Sequence, residues 1–183
     1  MNMSIQILLN NALTHIQAGE LHKANELLNK ARTLDQNNPD VLRFLSVLAA
    51  KQFNYVDALD LIDRVIALTP DNAIANSNRG NILKELNRFE EALESLDRGI
   101  KLDPSYVEAY SNKGNVLQDL HRYDEAIEWY DRAIALKPNY PEAYSNKGNA
   151  LELLRRHRER QGLRHGPPDV RDHRRAGVLQ VPR

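Results

Sequence analysis

Six asparagines stand out by their spacing. Asn78, Asn112 and Asn146 follow one another at a 34-residue step, and so do Asn81, Asn115 and Asn149. A carboxamide carries two N–H donors and one carbonyl acceptor. It can therefore pair with the N–H and C=O of an extended peptide whatever side chains that peptide bears. Residues three apart on a helix share a face, so the two columns would form a ladder if each pair sat on a helix. The pairs lie in SNRGN at 77–81 and in SNKGN at 111–115 and 145–149. A second reading stays open. Asparagine is tolerated on solvated helix faces, and EAYSNKGN occurs twice, at 108–115 and 142–149, as a duplication alone would leave it. The matching positions earlier in the chain are Leu9, Asn10 and Leu13, then Arg43, Phe44 and Val47. That end is more apolar, and Phe44 either anchors a ligand side chain or covers a neighbouring element.

Residues suited to covalent or metal chemistry are poorly arranged. The chain has no cysteine, so a disulfide framework, a thiolate nucleophile and a zinc–thiolate site are excluded. There is no GxSxG, no HExxH, no phosphate-cradling glycine loop and no dinucleotide fingerprint. His157, His165 and His173 lie near Asp169 and Asp172, but the eight-residue spacing matches no ligand pattern. The expectation is a protein without a catalytic residue, cofactor or metal, and without a small-molecule substrate.

The elements that must position the asparagines follow from the same period. Ala24, Ala58, Ala92 and Ala126 keep the 34-residue step, as do Leu21, Tyr55, Phe89 and Tyr123. So do Leu34, Leu68, Leu102 and Leu136, and Pro70, Pro104 and Pro138, with Gln36 in the first unit's proline slot. A small residue recurs at Ala12, Ser46, Gly80, Gly114 and Gly148. Within a unit, apolar residues such as Ile127, Tyr130, Ala133 and Ile134 recur every three or four positions, which marks an amphipathic helix. Each unit holds two such helices; in the fourth they are expected at about 107–120 and 124–137. The short link His121-Arg122-Tyr123 makes them antiparallel, and the proline ends each pair because it cannot sit inside a helix. Small residues such as Gly114 and Ala126 allow two backbones to approach closely. Such hairpins bury both faces only by stacking, so the fold class is all-α, an α-solenoid.

At this point the pattern resembles the tetratricopeptide repeat family, with its early Gly and Tyr, its mid-repeat Ala and its late Pro. Repeats span about 5–38, 39–72, 73–106 and 107–140, with a half-repeat at 141–154. The early aromatic is present as Tyr110 and Tyr144 but replaced by Leu8, Leu42 and Asn76 elsewhere. The resemblance implies that the first helix of each pair lines a concave surface where peptides bind. The double asparagine column resembles the inner ladder of the repeat superhelices attached to some protein glycosyltransferases. Some family members instead grip the acidic C-terminus of heat-shock chaperones through Lys or Arg plus Asn. Here the matching positions are Ser77, Asn81, Asn112, Glu142 and Asn146, so the cations are missing. Lys113 and Lys147 are expected on the other side of their helices.

The pattern stops in mid-repeat. Residues 1–154 carry 16 basic and 22 acidic side chains; residues 155–183 carry nine arginines and three acidic residues, so a formal net charge of zero conceals a split of −6 and +6. Gly162, Gly166, Pro167 and Pro168 break a long helix. The first helix of the fifth unit is expected at about 141–161, and the Arg-rich segment 155–183 is expected to be a disordered tail. It reads as a natural tail, a frame-shifted or artificial sequence, or an Arg-rich contact. It contains no aromatic residue, which argues against stacking on nucleic-acid bases. With no apolar run of about 20 residues and no secretory leader, the expectation is a cytoplasmic protein that engages no membrane. The sequence thus predicts a non-enzymatic scaffold that binds a protein or peptide segment through Asn78, Asn81, Asn112, Asn115, Asn146, Asn149 and Phe44. The alternative is the substrate-recruiting module of a larger enzyme, such as a glycosyltransferase.

Overall fold

In the computed structural model, which describes residues 3–164, the described residues form nine helices and no strand. They are α1 (Met3–Gln17), α2 (Leu21–Leu34), α3 (Pro39–Lys51), α4 (Tyr55–Leu68), α5 (Ala73–Glu85), α6 (Phe89–Leu102), α7 (Val107–Asp119), α8 (Tyr123–Leu136) and α9 (Pro141–Arg164). The fourth unit's helices fall within one residue of the positions expected from periodicity. Four hairpins, α1–α2 to α7–α8, stack in chain order, and α9 packs on α8.

Local signals fix the helix ends. Asn38, Asn54 and Asn72 cap α3, α4 and α5 by accepting hydrogen bonds from backbone N–H groups that the first turn leaves unpaired. Pro39 and Pro141 open α3 and α9, where a missing N–H costs nothing. Pro70, Pro104 and Pro138 stand two residues beyond α4, α6 and α8. Each hairpin turn uses one residue in the left-handed region: Gly19, Phe53, Asn87 and His121, again 34 apart, with φ of 76°, 61°, 57° and 60°. The next backbone N–H reaches back to close the turn, as from Asn54 to Ala49 O at 2.9 Å and from Arg122 to Leu117 O at 2.8 Å.

The packing explains the small columns. Ala24, Ala58, Ala92 and Ala126 are all 0% exposed. A Cβ on Gly114 would lie 2.5 Å from Cε1 of the fully buried Tyr130. In the same column Ser46 is buried and donates its hydroxyl hydrogen to Ala58 O at 2.8 Å. The core runs through the stack as successive apolar clusters, beginning with Ile5, Leu9, Leu28 and Leu45 and ending with Leu117, Ala126, Tyr130 and Ala150.

Helix α9 bears on both expectations for the end of the array. It ends at Arg164, three residues beyond the helix expected at about 141–161, and so takes in the first ten residues of the segment expected as a tail. Glu152 binds both Arg155 and Arg156, Arg155 binds Glu159, and Arg158 reaches Asp124 at the start of α8. These pairs, three of them one turn apart, favour helix over the segment that the repeat pattern no longer specifies. The remainder of the tail expectation, at 165–183, lies outside the described residues. No helix among the described residues is long and apolar enough to cross a membrane.

Candidate functional site

The first helices α3, α5 and α7 together wall a concavity of about 590 Å³. Asn78 and Asn81 enter it from α5, and Asn112 and Asn115 from α7. Thus four of the six ladder asparagines share one space. Val47 stands in the column of Asn81 one repeat earlier, and with Ala50 and Ile82 it supplies the apolar part of the wall.

The carboxamides are not equivalent. Asn112 Nδ2 donates to Ser77 Oγ at 3.1 Å, and Asn146 Nδ2 donates to Asn115 Oδ1 at 3.1 Å and to Ser111 Oγ at 3.5 Å. These bonds run from one repeat to the preceding one. Asn115 Oδ1 also accepts from the Tyr130 hydroxyl at 2.8 Å. Burial, and the charge of Asp119, push that hydroxyl well above the usual tyrosine range, so it stays a donor. Asn112, Asn115 and Asn146 therefore tie neighbouring repeats together, with Asn112 and Asn115 keeping part of their hydrogen-bonding capacity toward the groove. Among the described residues, the side chains of Asn78 and Asn81 have no protein partner. Asn149 is exposed on α9 and, like Asn146, does not line the concavity.

Phe44 also lies outside it. Its column points back toward the preceding repeat, as Asn112 and Asn146 show, and the half-buried Phe44 ring packs against the core of the first hairpin. The Arg43 guanidinium covers the ring at 4.5 Å. Phe44 thus covers the neighbouring hairpin and stands apart from the four groove asparagines.

Charge in the groove is largely compensated. Lys84 pairs with Glu85 at 2.7 Å and lies 3.8 Å from Asp119. Desolvation, and then the Glu85 charge, push the Tyr55 hydroxyl up, so Tyr55 contributes no charge at neutral pH. Lys51, exposed at the end of α3, has no carboxylate partner among the described residues. Lys113 and Lys147 turn away: Lys113 pairs with Asp97 and sits 4.0 Å over the Trp129 ring, and Lys147 meets Asp131 at 2.5 Å. Arg79 repeats this arrangement with Asp63 at 2.7 Å.

Sequence reasoning overlooked Lys51, Phe53, Tyr55, Lys84 and Glu85. Phe53 had a readable signal, because it occupies a column whose other members, Gly19, Asn87 and His121, are residues common at left-handed turns.

Comparison with known proteins agrees with this geometry. A model described as "Tetratricopeptide repeat" matches residues 15–77, and one described as "TPR repeat" matches 80–121 and 114–154. A search of curated sequences returns no significant match. Among solved structures, the chain is similar to the APC/C hetero-tetramer Cut9-Hcn1, with TM-score 0.71 and 22% identity over 79% of this chain and 29% of that one. The chain thus spans well under half the length of that relative. It is also similar to MamA, with TM-score 0.63 and 26% identity over 84% of this chain and 86% of that one. The first TPR of Spaghetti (RPAP3), bound to the HSP90 peptide SRMEEVD, gives TM-score 0.60 and 28% identity over 63% of this chain and 94% of that one. With matched segments covering most of the sequence, and hairpins that repeat their columns and turns every 34 residues, the chain belongs to the tetratricopeptide repeat family.

Proposed function

We propose that this chain is a non-enzymatic interaction scaffold that holds an extended segment of another protein in the groove of α3, α5 and α7. The observation that carries the reading is the convergence of four carboxamides on one concavity, two of them, Asn78 and Asn81, without a partner among the described residues. A polar group of this kind is best matched by a peptide backbone, which repeats a donor and an acceptor along its length. Compensated charge in the groove makes backbone pairing, rather than ion pairing, the main polar contribution. The RPAP3 structure, which holds a peptide on a similar fold, supports a peptide as ligand. Ser77 and Glu142 stand where a carboxylate clamp would carry its cations, which sets this groove's chemistry apart from recognition of an acidic chain end.

Nuclear magnetic resonance tests the reading directly. Peptides selected on the full chain from a random display library are titrated into ¹⁵N-labelled protein. The side-chain NH₂ signals of Asn78 and Asn81 should move on titration, while that of Asn29 on α2 should not. Shifts confined to second-helix residues such as Asn29 would reject the groove.

A further inference from the structure

Phe53 is the most anomalous residue of the groove. Its φ of 61° places a bulky side chain in the left-handed region. There Cβ crowds the following carbonyl, and glycine or asparagine are the usual occupants. The equivalent turns use Gly19, Asn87 and His121 at nearly the same angle. Moreover, the Phe53 ring is 79% exposed, so it contributes little to the core. Among the described residues its one ring contact is an edge-on meeting with Tyr55 at 6.3 Å between centroids. A residue that is unfavourable both for its turn and for its solvation points to a role outside folding.

We infer that Phe53 is the specificity anchor of the groove. With Val47, Ala50 and Ile82, all of which line the same concavity, it forms an apolar seat for one Leu- or Phe-sized side chain of the bound segment. This rests on the peptide-groove reading and adds a sequence preference to it: the asparagines hold the backbone and the seat reads a single side chain. Charge narrows the occupant further. Lys84 is compensated by Glu85 and Asp119, which leaves Lys51 as the cation at this end without a carboxylate partner among the described residues. The segment that fits is extended, carries one large apolar residue, and has no basic residue beside it.

The test uses peptides selected on the full parent chain from a random display library, measured by fluorescence anisotropy on the parent, on Phe53→Gly and on Asn78→Ala/Asn81→Ala. The selected peptides should share one large apolar position flanked by neutral or acidic residues. Phe53→Gly should weaken them at least about tenfold, equivalent to about 1.4 kcal/mol, while its melting temperature stays level or rises. Replacing the apolar position by Ser in the peptide should weaken parent binding and leave Phe53→Gly binding unchanged. If the peptides lose affinity for the asparagine variant but not for Phe53→Gly, the anchor is wrong and the groove stands. Peptides indifferent to the asparagine variant, or no binding peptides at all, would overturn the groove reading and the anchor with it. A Phe53→Gly protein that melts several degrees lower would show the ring to be structural and would also overturn the anchor.

Discussion

Two glycines of one column should respond in opposite directions to the same substitution. Gly114 and Gly148 are one repeat apart in mid-helix, and alanine at either would gain about 1 kcal/mol of helix propensity. At Gly148 a new Cβ meets nothing within 4 Å, so Gly148→Ala should stabilise by roughly that amount. At Gly114 the Cβ would sit 2.5 Å from Tyr130 Cε1 and 2.8 Å from Cδ1 and Cζ, about 1 Å inside ordinary contact. Tyr130 cannot step aside easily, because its ring is fully buried and its hydroxyl is held by Asn115 at 2.8 Å. Overpacking of this kind costs about 1–3 kcal/mol, which outweighs the propensity gain. The net for Gly114→Ala is a loss of about 1 kcal/mol, and the two variants should differ by about 2 kcal/mol. For a chain of this length each kilocalorie moves the melting temperature by about 2–4 °C. Thermal melts followed by circular dichroism at 222 nm should place Gly148→Ala above the parent and Gly114→Ala below it. Equal shifts of the same sign would refute the assigned packing of α7 on α8.

Further outcomes follow from other contacts. Ala126→Leu inserts three carbons at a position that is 0% exposed and should lower stability by about 1–3 kcal/mol in urea denaturation. Acidification should unwind the end of α9. Hydrogen bonds from Arg155 and Arg156 depress the Glu152 carboxyl from its ordinary value of 4.5 to about 2. A depressed carboxyl contributes stability that is present above its unfolded value and lost as pH falls through its folded one. Helicity at 222 nm should therefore decline from about pH 4.5 to about pH 2, and Glu152→Gln should remove that component of the decline.

Much of the fold was legible because each repeat column records a packing constraint. Ala126 and Gly114 repeat since neighbouring helices leave no room there, and the prolines repeat since each second helix must stop. The groove was legible only in part. Its asparagines share a helix face, which spacing reveals, but their hydrogen-bond partners lie in another repeat. Asn112 meets Ser77, and Asn146 meets Ser111 and Asn115, so which carboxamides remain available depends on how far one hairpin is rotated on the next. The same rotation turns Phe44 onto the first hairpin. Phe53 belongs to a turn, where side-chain direction is set by backbone angles rather than by a helical period. A helix to about 161 was legible, but the ion pairs along its second half, among Glu152, Arg155, Arg156 and Glu159, lie outside the repeat pattern.

The central claim is that Asn78 and Asn81 pair with the backbone of a bound segment, and the double variant Asn78→Ala/Asn81→Ala tests it most directly. Neither side chain has a partner within the described residues, so the melting temperature should stay close to that of the parent. Each lost hydrogen bond is worth about 0.5–1.5 kcal/mol, so two lost bonds should weaken binding about tenfold or more. Equilibrium binding of several display-selected peptides of unlike sequence should show similar losses for all, at both low and high salt. Parent-like affinity in the double variant would contradict the account and leave the ladder as solvated surface.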